Sequence, residues 1–316
     1  LHADVVKEGF EMDKSVACAL VDMYVKCGHL KEAEEVFDQL IDHDVVVWNA
    51  LITGYANHGL FEEWFTCFKQ MRGEGVCPDA VTYLGSLKLC CNVKAIGKGR
   101  ELHMDIVKQG LERNLSISNS LVAMYAKTGL LEEASIVFDA MLVQDVVSWT
   151  ILITGHAESG FVEEAWKSFE QMQRLGVLPN VVTFLCMLKT CIGIGAIERG
   201  RALHYDIIKA EVESDSTIGN ALVTMYCNCG SLREAWDVFN ELSVQDVVSW
   251  SAIILGHANH GENEFSFTLY RTMQEQGLLP NGVTFVSVLT ACSDSASLEA
   301  GRRIHTQMNN SALLDQ

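Results

Sequence analysis

Proline is nearly absent, with three residues in 316. So little of the strongest helix breaker argues against a chain of turns and short strands and leaves room for helix throughout. Positive charge is also scarce. Lysine and arginine together number 23 against 41 aspartates and glutamates, a formal charge of −18, which speaks against nucleic-acid binding through a bulk positive field. No run of 18 or more apolar residues occurs, so no membrane-spanning helix is predicted. An initiating methionine and any signal or Arg-rich transit segment are missing from the start, and the chain is expected to be a piece of a longer protein.

Other absences bear on chemistry. The 11 cysteines follow no pairing logic, and the chain is far from a small secreted scaffold, so reduced thiols are predicted. Cys27, Cys227 and Cys229 have no cluster of further ligands at zinc spacing, and no metal or other cofactor is expected. No proline is followed by cysteine, which removes the Pro-Cys-x-x-Cys half of the zinc deaminase signature. Neither a phosphate-cradling Gly-rich loop nor a Ser/His/Asp set supports a catalytic reading. The stretch is expected not to be an enzyme.

What is present is a long-range period. Asp44-Val45-Val46-Val47-Trp48 returns as Asp145-Val146-Val147-Ser148-Trp149 and as Asp246-Val247-Val248-Ser249-Trp250, each 101 residues from its neighbour. Pro78, Pro179 and Pro280 keep the same interval, as do Cys90, Cys191 and Cys292. A Leu/Ile-His pair recurs at Leu1-His2, Leu102-His103, Leu203-His204 and Ile304-His305. Histidines that return once per period suit helix–helix contacts better than three catalytic bases. A period held over the whole chain marks a repeat architecture.

The period subdivides. Trp48, Leu51, Ile52 and Tyr55 have the i, i+3, i+4, i+7 spacing of a helix face; Gly59 interrupts, and Trp64, Phe65, Phe68 and Met71 mark a second helix that Gly75 and Pro78 stop. Applied throughout, units of 35, 35 and 31 residues result: a remnant at 1–13, then 14–44, 45–79, 80–114, 115–145, 146–180, 181–215, 216–246, 247–281 and 282–316. Nine two-helix units and a remnant predict about nineteen helices stacked as a solenoid. Asp44, Asp145 and Asp246 precede first helices, where a carboxylate can accept from free backbone N–H groups. Neither end carries an obvious polar cap, so terminal fraying or self-association end to end is expected.

These residues have a family likeness. Val146 to Gly160, followed by Glu164-Ala165, Phe169, Met172, Gly176 and Pro179-Asn180, resembles the pentatricopeptide repeat, and the 35/35/31 alternation resembles its plant PLS subclass. In that likeness P units start at 45, 146 and 247, L units at 80, 181 and 282, and S units at 14, 115 and 216. The Gly-Arg-x-Leu-His runs at 99–103 and 200–204 resemble the second helix of an L unit. The resemblance implies an all-α, right-handed superhelical α-solenoid of two-helix repeats that binds single-stranded RNA, one base per repeat. A tetratricopeptide-type peptide-binding solenoid is the alternative, with a uniform 34-residue period in place of the alternation.

The resemblance assigns roles by position. The fifth residue of a unit faces a base edge, the last residue supports it, and the second packs between bases. Asn49 with Asp79, Asn119 with Asp145, and Asn220 with Asp246 resemble pairs that prefer uracil; Thr150 with Asn180 and Ser251 with Asn281 resemble pairs that prefer adenine. Cys18 with Asp44 departs from the pattern, and Leu84, Leu185 and Val286 cannot hydrogen-bond a base. The implied footprint is 5′-x-U-x-U-A-x-U-A-x-3′. Val46, Val147 and Val248 would be wedges, with Val81, Val182 and Val283 in the L units. The negative charge is expected on second helices, at Glu32, Glu34, Glu35, Glu132, Glu133, Glu163 and Glu164, leaving Lys26 and Lys127 for phosphates on first helices. Further implied are an organellar setting, mitochondrion or chloroplast, and a part in cytidine-to-uridine RNA editing; a second alternative is RNA binding that stays weak until a multiple organellar RNA editing factor (MORF) protein docks on the L units.

Overall fold

An aspartate or asparagine stands immediately before nearly every first helix, and the structure shows why. In the computed structural model, which describes residues 14–40, 42–212 and 214–312, Asp145 holds an extended backbone (φ −90°, ψ 177°) and its carboxylate accepts from Ser148 N. Asp44 accepts from Val46 N and Val47 N, and Asp246 from Val248 N and Ser249 N. Each takes up backbone donors that a helix start leaves without partners. The remnant at 1–13, with Leu1-His2, lies outside the described residues.

Eighteen α-helices and one short 3-10 turn, Leu111–Arg113, make up the described residues, with no strand among them. Residues up to Gly160 form one compact unit and those from Phe161 another. The first contains α1 (Lys14–Lys26), α2 (Leu30–Asp38), α3 (Val45–His58), α4 (Phe61–Gly73), α5 (Ala80–Asn92), α6 (Ile96–Lys108), α7 (Leu115–Lys127), α8 (Leu131–Asp139) and α9 (Val146–Glu158). The second contains α10 (Val162–Arg174), α11 (Val181–Ile194), α12 (Ile197–Lys209), α13 (Ser216–Asn228), α14 (Leu232–Glu241), α15 (Val247–Asn259), α16 (Asn263–Glu275), α17 (Gly282–Asp294) and α18 (Leu298–Ala312).

Within the first unit α1, α3, α5, α7 and α9 pack in succession, and within the second α11, α13, α15 and α17 do the same. Odd-numbered helices therefore form an inner row, and α2, α4, α6 and α8, like α12, α14, α16 and α18, each pack on the inner helix before them. This is an all-α solenoid in each unit. The seams are aromatic. Phe37 meets Trp48 edge-on with ring centroids 4.6 Å apart, Phe138 meets Trp149 at 4.6 Å, and Phe239 meets Trp250 at 4.8 Å. All six rings are buried, and edge-to-face pairs of this kind stabilise by about 0.5–1.5 kcal/mol beyond their burial. Trp64, Phe68 and Met71 are buried as their spacing predicts, but Phe65 is only half-buried. The Lys69 and Lys98 ammonium groups lie over its ring at 4.2 and 4.1 Å.

One inner-row contact explains a lattice glycine. A Cβ on Gly155 would stand 2.7 Å from Ala126 Cβ, and its counterparts Gly54 and Gly256 face Val25 and Cys227 as closely. Alanine is the better helix former by about 1 kcal/mol, yet here it would force α9 from α7. Gly155→Ala is expected to destabilise by about 1–3 kcal/mol. Gly97→Ala, in a first turn with nothing within 4 Å, should stabilise; chemical denaturation of the two variants reads the opposite signs.

The recurring histidine is a helix–helix contact. His103 Nδ1 lies 2.9 Å from Tyr125 Oη, and His204 Nδ1 2.9 Å from Tyr226 Oη. Burial holds both imidazoles below the ordinary histidine range; Glu241 and Glu234 pull His204 partly back. A folded-state pKa below the unfolded one gives stability that is complete above about pH 6.5 and lost as the pH falls through the folded value. In unfolding experiments from pH 7 to pH 5, wild type should lose stability relative to His103→Gln.

Candidate functional site

The exposed stripe of the inner row begins with the second-position valines. Val46, Val147 and Val248, and equally Val81, Val182 and Val283, are between 47% and 58% exposed. First-turn core packing does not account for them. Aliphatic groups repeated at this depth along the inner row of each unit are suited to contact flat apolar partners.

Behind the valines of the 80, 146 and 247 starts lies the capping residue, and the fifth residue of the unit before reaches it. Asn49 Nδ2 donates to Asp79 Oδ1 at 2.9 Å. Asn220 Nδ2 lies 3.2 Å from both Asp246 oxygens, and Asn119 Nδ2 is 3.5 Å from Asp145 Oδ1. Asp79, Asp145 and Asp246 thus serve two masters, a helix start and an amide. Burial raises the Asp79 carboxyl, but the Thr82 N–H, the Asn49 amide and the Thr82 hydroxyl outweigh it and hold the group below its usual range.

The serine and threonine at the fifth position are less open. Ser251 is only 2% exposed; its hydroxyl donates to Val247 O at 2.6 Å and lies 2.6 Å from Thr284 Oγ1 and 3.5 Å from Asn281 Oδ1. Thr150 is nearly as buried, and its hydroxyl donates to Val146 O at 2.6 Å. Asn180 and Asn281 each cap a helix with a reciprocal threonine, Thr183 and Thr284. Asn49 is buried to a similar degree as Thr150, whereas Asn119 and Asn220 are half-buried.

In the second compact unit these positions converge on an open cleft of about 470 Å³. Asn220, Asp246 and Val248 line it together with Leu185, Lys189 and Thr224. It offers an amide and a carboxylate on one wall, aliphatic surface on the others and an ammonium at the edge. Leu185 is the fifth residue of its own unit, so this aliphatic position lines the cleft of its neighbour. Its presence there, and that of Lys189, had no signal in the local sequence.

Charge is divided between the layers. The glutamates at 32, 34, 35, 132, 133, 163 and 164 sit on the outer helices α2, α8 and α10. Outer arginines bind outer acids: Arg100 to Glu133 at 2.7 Å, Arg201 to Glu234 at 2.7 and 3.1 Å, and Arg199 to Glu163 through two 2.9 Å bonds. Lys88, Lys127 and Lys189 are exposed on inner helices, and Lys26, also exposed, is paired with Asp22 at 2.7 Å. Two His-x-Glu triplets occur, His156-Ala157-Glu158 and His260-Gly261-Glu262, but among the described residues no group of three His, Cys, Asp or Glu could hold a metal ion.

A stack of two-helix repeats with a valine stripe and capped amide pairs on its inner row is a helical-repeat recognition scaffold. Family models described as PPR repeat family match residues 43–92, 144–193 and 245–294, and PPR repeat models match 16–45, 116–146 and 220–247; the chain belongs to the pentatricopeptide repeat family. It is 35% identical to the Arabidopsis thaliana pentatricopeptide repeat-containing protein At2g33680, over all of this chain and 43% of that protein. Against the chloroplastic At4g18520 of the same plant identity is 36% over 97% of this chain and 49% of the relative. The mitochondrial putative relative At3g25060 is 33% identical over 96% and 50%. The chain thus spans about half the length of these curated relatives or less. A solved structure of pentatricopeptide repeat protein PPR10 in complex with an 18-nucleotide psaJ RNA element matches the fold with TM-score 0.55 at 16% identity, covering 93% of this chain and 53% of that one.

The double duty of the caps is measurable. Asp246→Ala removes acceptors from Val248 N, Ser249 N and the Asn220 amide, and is expected to destabilise by about 1–2 kcal/mol. Asp246→Asn keeps a capping oxygen and should lie within about 0.5 kcal/mol of wild type; urea unfolding followed by helical ellipticity compares them.

Proposed function

We propose that this chain is the RNA-recognition array of an organellar RNA-processing factor of the PLS type, reading single-stranded RNA at one base per unit. The observation that carries the reading is the cleft in which Asn220, Asp246 and Val248 meet. The carboxylate orients the amide, because it can only accept and so draws the NH₂ group toward itself. The Asn220 carbonyl oxygen is then buried with no hydrogen-bond partner, a costly state that a turn of the amide toward a ligand N–H in the cleft would relieve. Uracil offers that N–H beside a carbonyl acceptor, and Val248 provides apolar surface for its ring face. Asn119 has the same unpartnered oxygen. On this reading Asn49, Asn119 and Asn220 select uracil with their aspartates, Thr150 with Asn180 and Ser251 with Asn281 favour adenine, and the footprint is 5′-x-U-x-U-A-x-U-A-x-3′.

Editing of cytidine to uridine is the proposed process, in a mitochondrion or chloroplast, with any chemistry supplied outside this array. The relatives named chloroplastic and mitochondrial support the organellar setting. MORF-type partners are proposed on the second helices of the L units, where Met104 with Val107, and Tyr205 with Ile208, are at least half exposed. With few lysines along the inner row, binding should depend on salt less than that of a basic protein.

Gel-shift titration with RNA carrying U-x-U-A-x-U-A against scrambled RNA tests the reading. The matched RNA should bind at least about tenfold more tightly, as one or two selective base contacts would give. Asn220→Thr should change the base preferred at the seventh nucleotide alone. Equal binding of both RNAs, or an unaltered preference in the variant, removes the assignments.

A further inference from the structure

The three asparagines at the fifth position are not in the same hydrogen-bonded state, and what separates them lies in the next unit. Asn49 is held at both ends. Its NH₂ group donates to Asp79 Oδ1 at 2.9 Å, and its carbonyl accepts from the Thr82 hydroxyl. Thr82 is the third residue of the following helix; it also completes a capping box with Asp79, whose backbone N–H it accepts at 3.1 Å. Asn119 and Asn220 are held at one end only. The third residues after them are Ser148 and Ser249, whose hydroxyls turn back to Asp145 O and Asp246 O at 2.8 and 2.9 Å, and both asparagine carbonyls are left buried and unpartnered. Ser251 repeats the arrangement of Asn49: the hydroxyl of Thr284, third residue of the helix that follows, lies 2.6 Å from its own.

We propose that the third residue of the following unit is a positioning residue for base selection, Thr82 acting on Asn49 and Thr284 on Ser251. This rests on the reading of one base per unit given above. An amide whose carbonyl is already engaged presents the groove with a donor and a weakened acceptor. A donor alone suits an acceptor on either pyrimidine, the O4 of uracil or the N3 of cytosine. An amide whose carbonyl has no partner can turn it toward the ring N3 of a base, where it accepts from the N3–H of uracil and meets only the lone pair of cytosine N3. Of the three uracil-preferring units the Asn49 unit is therefore the one that tolerates cytosine most, and the Asn119 and Asn220 units are the more selective, although all three carry the same asparagine–aspartate pair.

The experiment measures the ratio of affinities for uracil and cytosine at the nucleotide facing residues 45–79, in an RNA otherwise constant. Thr82→Ala should raise that ratio about fivefold, the worth of one net hydrogen bond, and leave the nucleotide facing Asn220 unaffected. Thr82→Ser should shift the ratio in the same direction, since the serines at 148 and 249 turn their hydroxyls back to the cap carbonyl and leave the asparagine carbonyl without a partner. A merely structural threonine would weaken binding to both RNAs alike, which overturns the inference. Thr284→Ala supplies the same test in the other compact unit should Thr82→Ala fail to fold, read as a changed base ratio opposite residues 247–281. Asn49→Ala separates the two levels: a ratio altered there but unchanged in Thr82→Ala and Thr284→Ala sinks the positioning role alone. A ratio unchanged in Asn49→Ala sinks the reading of a base by this unit, and this inference with it.

Discussion

The hydrogen bond from a helix-start N–H to the Asp or Asn before it is the constraint on which the rest of the structure depends. Eight inner helices, α3 and α5 through α17, begin in this way, on Asp44, Asp79, Asn114, Asp145, Asn180, Asp215, Asp246 and Asn281. Each cap fixes where the inner helix starts and, in six of the eight, where its exposed valine stands. The same side chains lie against the fifth residue of the preceding unit at Asn49, Asn119, Asn220 and Ser251. Capping restricts the position to short side chains with an oxygen acceptor. Among the residues that capping allows, this chain uses only aspartate and asparagine at these eight starts.

Much of the fold was legible because its causes are local or periodic. A cap, a helical apolar spacing and a terminal glycine are read within a few residues, and the 101-residue interval then multiplies each observation by three. Depth was not legible in the same way. Ser251 and Asn49 occupy equivalent positions, yet what their polar atoms touch depends on Thr284 and Thr82, thirty-three residues onward. Phe65 looked like core by spacing, but its neighbours place two ammonium groups over it. The threonines recurring at 82, 183 and 284 were visible on the lattice; only the folded chain gives them a partner to act on. The convergence of Leu185 with Asn220 is likewise a product of stacking.

The opposing charges of the chain find separate places for a physical reason. On the outer helices acids and arginines pair between neighbours, each pair contributing little on its own because water screens it. Arg199 gains more by lying over Trp166 at 5.0 Å while bonding Glu163 through both nitrogens. The inner row keeps few charges of either sign beyond its caps and lysines, so its surface offers shape and directional hydrogen bonds more than net charge.

With the proposed positioning role, Thr82 would also set the unit in which the chain can be rearranged. Recombination between repeats that exchanged residues 45–79 as a block would carry Asn49 and Asp79 together and leave Thr82 behind with the recipient. A transplanted pair would then inherit a serine or a threonine from its new neighbour. Identical cassettes could diverge in selectivity after a single crossover, and the faithful segment for inheritance extends three residues past the aspartate.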